Sequence, residues 1–310
     1  MRVLVTGGFG FIGTALVDRL VAQGHSVAVA DRRPPPEGDR PVTSVVADLR
    51  DPGAVDAALD TDPEAVIHLA AATSVLLSVE APHEVYRSNV EVTADLLEGC
   101  RARGIATFLF ASTNAVVGPM DGDRITEDAP LRPLTPYGAT KAAAEMLMSA
   151  YRSSYGMAAT SLRLTNVYGP GVWVKDGLVA RLFRAARRQQ AVKVYGDGLQ
   201  VRDYVYIDDV VDAFVQGLAR PLPPVVIVGS GRSVNVFDLH RVACDVSGEA
   251  IGLEEAPAQP GEMRAVVIDR ALAASAGLPV PVQLEAGLAA TWAAWPDDDA
   301  PVPPALPTRR

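Results

Sequence analysis

The sequence predicts an α/β fold: a doubly wound parallel sheet followed by a smaller C-terminal substrate-binding domain. Three observations carry that reading. A short apolar run at the N-terminus leads straight into spaced glycines and then a helical pattern. Strand-like runs alternate with helix-like segments through the first two thirds of the chain, as parallel sheets require. Asp31, Asp48, Ala70, Thr113 and Asn166 each fall just after a strand-like run. In an open parallel sheet that shared edge is where ligands bind.

The first strand is Arg2 to Thr6, and Gly7-Gly8-Phe9-Gly10-Phe11-Ile12-Gly13 follows it. Ala15, Leu16, Leu20 and Val21 then recur at helical spacing up to Gly24. Gly7, Gly10 and Gly13 suit a dinucleotide loop. The first makes the tight turn, the second lets backbone approach a pyrophosphate, and the third lets helix pack on strand. A second strand, Ser26 to Ala30, ends at Asp31, where an acid would hold a ribose 2′-hydroxyl. Arg32 and Arg33 are residues that can hold a 2′-phosphate instead, but Asp31 would sit against that phosphate, so NAD is expected over NADP. Val45-Val46-Ala47 leads to Asp48-Leu49, and Ala65 to Leu69 leads to Ala70-Ala71-Ala72. A helix from Pro82 to Arg103, a strand from Thr107 to Ala111 and a strand from Ala159 to Leu164 continue the alternation.

Between the last two strands lies Tyr137-Gly138-Ala139-Thr140-Lys141, opening a segment rich in Ala, Met and Glu that reads as a helix to about Met148. Four positions apart, Tyr137 and Lys141 share one helix face. A phenol ionises near ~10, and an adjacent ammonium favours the phenolate. With a hydroxyl from Thr113, the pair suits alcohol–ketone chemistry beside a hydride acceptor.

After Tyr168-Gly169-Pro170-Gly171 the pattern loosens, as a substrate-covering part would. Residues 1–168 are expected to form the dinucleotide-binding domain and 169–295 mostly the substrate-binding one. Within 205–232, a helix from Asp208 to Leu218 and a strand from Val225 to Val228 are expected to return to the main sheet. Residues 296–310, rich in Pro and Asp, read as a disordered tail. Arg181, Arg184, Arg187 and Arg188 share one helix, read as a solvated or partner-facing face. His68 lies inside an apolar strand and reads as a buried, satisfied histidine. His25, His83 and His240 show no metal spacing, so no metal is expected.

Bulk properties bound the function. The chain has 310 residues, 49% of them apolar and 21% charged, as in ordinary soluble globular proteins. A net charge of −9 argues against wholesale nucleic-acid binding. Two cysteines, Cys100 and Cys244, provide neither a disulfide framework nor a metal cluster. No apolar run approaches ~18 residues, and the N-terminus lacks the pattern of a signal peptide. A cytoplasmic protein without membrane association is expected.

In this order, GGFGFIG, Asp31, Asp48-Leu49, HLAA, ASTNAVVG, YGATK, LRLTNVYGPG and GDGLQVRDYVYIDDVV resemble the extended short-chain dehydrogenase/reductase family, specifically its NAD-dependent nucleotide-sugar epimerases and dehydratases. The resemblance reaches to about Trp295. It implies a Rossmann domain, NAD as cofactor, a nucleotide-diphosphate sugar as substrate, and a homodimer built on the helices starting near Pro82 and Thr135. Met146 and Leu147 there are candidates for interface or core. Tyr137 is implied as acid/base, Lys141 as the residue that holds the nicotinamide ribose and tunes it, and Thr113 as the catalytic hydroxyl. Gly7, Gly10, Phe11, Ile12, Gly13, Asp31, Arg32, Asp48, Leu49, Leu69, Ala70, Ala71 and Asn89 are implied in cofactor binding. Ser74, Asn114, Asn166, Arg202 and Glu262 are implied toward the substrate.

Asn114 and Ala115 stand where sugar 4,6-dehydratases carry Asp-Glu, and the nucleotide-glucuronate decarboxylases usually have a glutamate at the second position. Without a carboxylate, elimination has no evident base. The implied activity is therefore 4-epimerisation of a UDP- or dTDP-hexose through a transient 4-keto sugar. A 4-ketoreductase would use the same residues and would show itself by a preference for NADPH. A non-catalytic dinucleotide sensor would be expected to lose Tyr137 or Lys141. Val117 replaces a usual tyrosine, Gln259 a frequent arginine, and Leu76-Leu77 make the loop after HLAA apolar, which suits a deoxysugar. Val266 falls where epimerases carry a size-limiting residue, so a roomy pocket is expected.

Overall fold

The computed structural model of the protein describes residues 1–36, 40–119, 124–258 and 264–296. Along the chain, β1 (Arg2–Thr6), α1 (Phe11–Ala22), β2 (Ser26–Asp31), β3 (Val42–Val46), α2 (Ala54–Leu59) and β4 (Ala65–His68) alternate as strand and helix. The short α3 (Val75–Glu80) and α4 (Pro82–Tyr86) follow, then a π-helical turn over Arg87–Glu91 and α5 (Val92–Arg103). The expected single helix from Pro82 is thus continuous to Arg103 but widened by one turn around the buried Asn89. Such π turns mark places where a side chain is given another task.

Next come β5 (Thr107–Thr113), the long α6 (Pro136–Tyr155) and β6 (Ala158–Leu164). Helix α6 outruns the expected end near Met148 because its boundaries are set by caps. The Thr135 hydroxyl accepts from the Gly138 amide at 3.2 Å, Pro136 opens the first turn, and Gly156 ends the helix in a left-handed conformation. The remainder is β7 (Asn166–Tyr168), α7 (Leu178–Arg188), β8 (Ala191–Tyr195), β9 (Arg202–Tyr206), α8 (Ile207–Ala219), β10 (Val225–Val228), β11 (Ser233–Val234), α9 (Val236–Ser247), β12 (Gly252–Ala256), α10 (Ala271–Ser275) and α11 (Leu284–Ala293).

Seven strands form one all-parallel sheet in the order β10-β6-β5-β4-β1-β2-β3. The order reverses beside β1, which places a crevice at the carboxyl edge above β1 and β4. Successive side chains on a strand point to opposite faces, and the core divides accordingly. Val3, Val5, Val27, Val29 and Leu109 pack on one face with α1, α7 and α8. Leu4, Ala28, Ala30, Phe108 and Phe110 pack on the other with α2, α5 and α6. Both faces are covered, so the strands read as continuous apolar runs.

His68 is buried in β4, with Nδ1 2.6 Å from the Thr6 hydroxyl and Nε2 3.1 Å from that of Thr93. Burial, assisted by the charge of Lys141, pushes its pKa down to about 3, so it stays neutral and structural. The smaller sheets β11-β9-β7 and β12-β8 lie beyond the carboxyl edge of β6 in the chain. Val266 is fully buried in a cluster with Val116, Val117, Ile125, Ile227 and Ile268. It packs in this cluster and is not among the described residues that line the site cavity.

Among the described residues, no helix is long and apolar enough to cross a membrane, and no group of three or more His, Cys, Asp or Glu is placed to hold a metal. Of the last expected segment, the tail over 296–310, residues 297–310 lie outside the described residues.

Candidate active site

A cavity of about 980 Å³ opens at the carboxyl edge of the sheet. Gly7, Gly10, Phe11, Ile12, Gly13, Asp31, Arg32, Asp48, Leu49, Leu69, Ala70 and Ala71 line one half of it. A Cβ on Gly13 would come within 2.3 Å of the Gly7 carbonyl oxygen, so the loop can turn into α1 this tightly only with glycine there. No side chain caps the N-terminus of α1. Its first amides are therefore left for an anion, as a bound pyrophosphate requires. The Asp31 carboxylate, at the end of β2, accepts from the amides of Phe9 and Arg33, each at 3.0 Å, and faces the same cavity. These residues fit a dinucleotide.

Asp48 lines the cavity but is heavily engaged. Arg50 donates to it from its side chain at 2.7 and 3.0 Å, holding the Asp48 carboxyl down to about 2, and also reaches Glu84 at 2.8 Å. Asn89 lies outside the lining. Its side chain accepts from the Ala72 amide at 2.8 Å and donates to the Ala72 carbonyl and the Thr140 hydroxyl. The π turn thus makes Asn89 a strut between the loop after β4 and helix α6, which shapes the cavity wall without forming it.

Thr113, Tyr137 and Lys141 all line the cavity. Their approach to one another depends on Gly138: a Cβ there would sit 2.6 Å from the Ala115 carbonyl oxygen, in the 3₁₀ turn that follows β5. Helix α6 can therefore approach the end of β5 closely enough for the Thr113 hydroxyl to hydrogen-bond the Tyr137 phenol. Lys141 donates to the Ala111 carbonyl at 2.9 Å and lies 4.4 Å over the ring of Phe110.

The electrostatics differ from the sequence expectation. Burial pushes the Tyr137 phenol up to about 12, and the Thr113 hydrogen bond only partly opposes it. Burial also pulls Lys141 down to about 7, with Glu145 working the other way. An ammonium that is itself desolvated and only partly charged at neutral pH is a weak lever on its neighbour.

Behind the pair lies a buried network. Glu145, one turn beyond Lys141, accepts from the Ser112 hydroxyl at 2.5 Å and from Arg163 at 2.8 and 3.0 Å. Arg163 also donates to the Glu127 carbonyl at 2.9 Å. Ser112 stands between Ala111, which holds Lys141, and Thr113, which holds Tyr137, so the ion pair anchors the strand end that carries both contacts. Sequence reasoning passed over Glu145 and Arg163; the one signal was an arginine inside the strand β6, which carries no other charge.

In the other half of the cavity are Ser74, Asn166 and Arg202. The Ser74 hydroxyl accepts from the Leu77 amide and caps α3, and Asn166 donates to the Asp203 carbonyl at 2.9 Å. Asn114 is buried as the first residue of the 3₁₀ turn and lies outside the lining. Glu262 lies outside the described residues. Lining residues that sequence reading did not assign include Arg50, Lys175, Arg181, Lys193 and Tyr195.

Three arginines of the basic helix α7, expected to form a solvated or partner-facing face, also make contacts within the chain. Arg181 pairs with Asp176 at 2.7 Å, Arg184 donates to the Trp173 carbonyl, and Arg187 lies 4.4 Å over the ring of Trp292. The cations tie α7 to its neighbours, and Arg181 turns to the cavity.

Residues 3–229 match the model of the NAD dependent epimerase/dehydratase family. The chain is 34% identical to a UDP-glucose 4-epimerase of Mycolicibacterium smegmatis over 304 residues, covering 94% of this chain and 97% of that one. It is 35% identical to a dTDP-L-rhamnose 4-epimerase of Burkholderia thailandensis, covering 78% of this chain and 80% of that one. The fold is similar to the crystal structure of the Thermus thermophilus UDP-glucose 4-epimerase in complex with NAD. That match has a TM-score of 0.88 at 35% identity and covers 95% of this chain and 98% of the other.

Proposed function

The chain belongs to the NAD dependent epimerase/dehydratase family and is an NAD-dependent nucleotide-sugar epimerase, and we propose that it inverts C4 of a UDP- or dTDP-hexose. The observation that carries this reading is the distribution of charge in the cavity. Among the described lining residues the carboxylates are Asp31, Asp48 and Glu84, all in the dinucleotide half and all within reach of an arginine. None stands beside Tyr137, where Asn114 and Ala115 follow Thr113. Removal of a carbon-bound C5 proton has no base there, whereas alcohol–ketone interconversion needs only the hydroxyl–phenol pair.

Bound NAD would supply a reversible hydride acceptor for C4 and a positive charge that favours ionisation of the nearby phenol. Tyr137 takes the C4 hydroxyl proton as the 4-keto sugar forms, and gives it back when the ketone is reduced on its other face. Thr113 keeps the phenol oxygen directed at the substrate. Lys141, held by the Ala111 carbonyl, would hold the nicotinamide ribose. Arg202 and Asn166 would grip the nucleotide diphosphate at the far end, leaving the hexose free to turn. Leu77 on α3 lines the cavity next to Ser74 and gives it an apolar patch, which suits a deoxyhexose.

The test is to denature freshly purified protein, quantify released nicotinamide nucleotide, and follow UDP- and dTDP-hexoses by proton NMR. Near-stoichiometric NAD or NADH with C4 inversion is expected. An empty protein that prefers NADPH would replace this reading by a 4-ketoreductase.

A homodimer through α4 and α6 is also proposed. Tyr86, Met146 and Tyr155 on these helices are 44%, 55% and 55% exposed, while Leu147 packs into the core. Light scattering at micromolar concentration is expected to give twice the monomer mass; a monomer would end the idea.

A further inference from the structure

Two cations face each other across the cavity above the glycine loop. On one wall, a terminal guanidinium nitrogen of Arg33 lies 3.4 Å from the position a Cβ on Gly10 would occupy, directly over the start of α1. On the other wall is Lys175, at the end of a 3₁₀ turn that spans Val172–Val174. That segment sits against the same loop, since a Cβ on Gly171 would be 3.3 Å from the ring of Phe11. Its backbone is fixed by Arg184, which donates to the carbonyls of Trp173 and Lys175 at 3.1 and 3.3 Å.

The nearby acids are already engaged. Both carboxylate oxygens of Asp176 accept from Arg181, at 2.9 and 2.7 Å. Asp31 accepts from two backbone amides and is 3.5 Å from Nε of Arg33. Among the described residues, Lys175 has no acidic partner. Burial, and then the charge of Arg33, hold its ammonium below the ordinary lysine range. Two like charges lining one cavity repel, and an anion between them would offset that cost. The α1 amides direct the dinucleotide's pyrophosphate to the same place.

We propose that Lys175 and Arg33 form a cationic bracket over the pyrophosphate of bound NAD, and that segment 171–175 thereby latches the cofactor in place between turnovers. The pyrophosphate would be held from below by helix amides and from two sides by charge. The dinucleotide could then leave only after Lys175 moves off the loop. A regenerated cofactor gains from such a latch, because each release would interrupt the cycle.

The experiment compares wild type, Lys175→Met, Lys175→Arg and Arg33→Met, all confirmed folded by circular dichroism. Each protein is loaded with NAD and passed through rapid desalting, and the retained nucleotide is quantified over time after denaturation. Lys175→Met and Arg33→Met are expected to lose NAD at least tenfold faster than wild type, with weaker salt dependence, because one phosphate contact is gone. Lys175→Arg is expected to retain it. Unchanged retention in Lys175→Met overturns the proposal. So does a variant whose KM for the nucleotide sugar rises while NAD retention stays normal, because that places Lys175 on the substrate's diphosphate instead.

Discussion

Tyr137→Phe is expected to lower turnover about 10³-fold, within the span that a positioned acid/base commonly contributes. The change removes one oxygen from a half-buried ring and leaves α6, Gly138 and Lys141 in place, so nucleotide content and thermal stability are expected to stay near wild type. Single-turnover oxidation of the nucleotide sugar, read as absorbance of reduced nicotinamide, isolates the step. Thr113→Val supplies a graded comparison. It removes the hydrogen bond that opposes the burial of the phenol, so its loss is expected to be smaller and to ease as pH rises. The direction follows from the phenol's pKa, already pushed up to about 12; losing the Thr113 bond raises it further, and only higher pH restores the ionised form. Turnover of Tyr137→Phe within tenfold of wild type would take Tyr137 out of the proton path.

The largest stability effect is expected at Glu145. Its side chain is 1% exposed and that of Arg163 4%. Glu145→Gln leaves a buried guanidinium facing a neutral amide, which costs on the order of 3–5 kcal/mol. The urea midpoint should fall accordingly. A double change, Glu145→Met with Arg163→Met, removes both charges while keeping apolar bulk and is expected to recover most of the loss, since a buried pair replaced by apolar residues is often neutral. If the single and double variants lose the same amount, the pair acts through shape and not charge. Ser112 gives the functional side of the same network. Ser112→Ala breaks one hydrogen bond to Glu145 and loosens the strand end that holds Lys141 and Thr113.

Much of the sheet was legible because buried parallel strands announce themselves. Runs such as Arg2–Thr6 and Ala65–His68 are apolar in Val3-Leu4-Val5 and Ala65-Val66-Ile67, and a polar residue closes each. The glycine loop was legible for a related reason: a backbone brought within 2.3 Å of a hypothetical Cβ admits one residue type, and that leaves a mark in the sequence. The helix carrying Tyr137 and Lys141 was legible from composition, although its C-terminus at Tyr155 follows from the Gly156 cap.

Other features left no local mark. Asn89 matches an expected cofactor contact by position, yet the π turn rotates it inward to brace Ala72 and Thr140. Val266 reads as a pocket residue by position, and three-dimensional packing puts it in the core. The arginines of α7 read as a solvated stripe because charge on a helix says nothing about where its partners lie. Trp292 comes from the distant α11, and Asp176 from the turn just before α7.

Periodicity, glycine spacing and the order of the motifs, which are properties of neighbouring residues, by themselves determined the fold class, the dinucleotide loop and the Tyr137–Lys141 pair. Tertiary structure alone decided the protonation of that pair, the buried Glu145–Arg163 anchor, and the approach of Lys175 to Arg33. Each of these depends on how much water and which distant charge surrounds a group, and the chain sets those quantities only by folding.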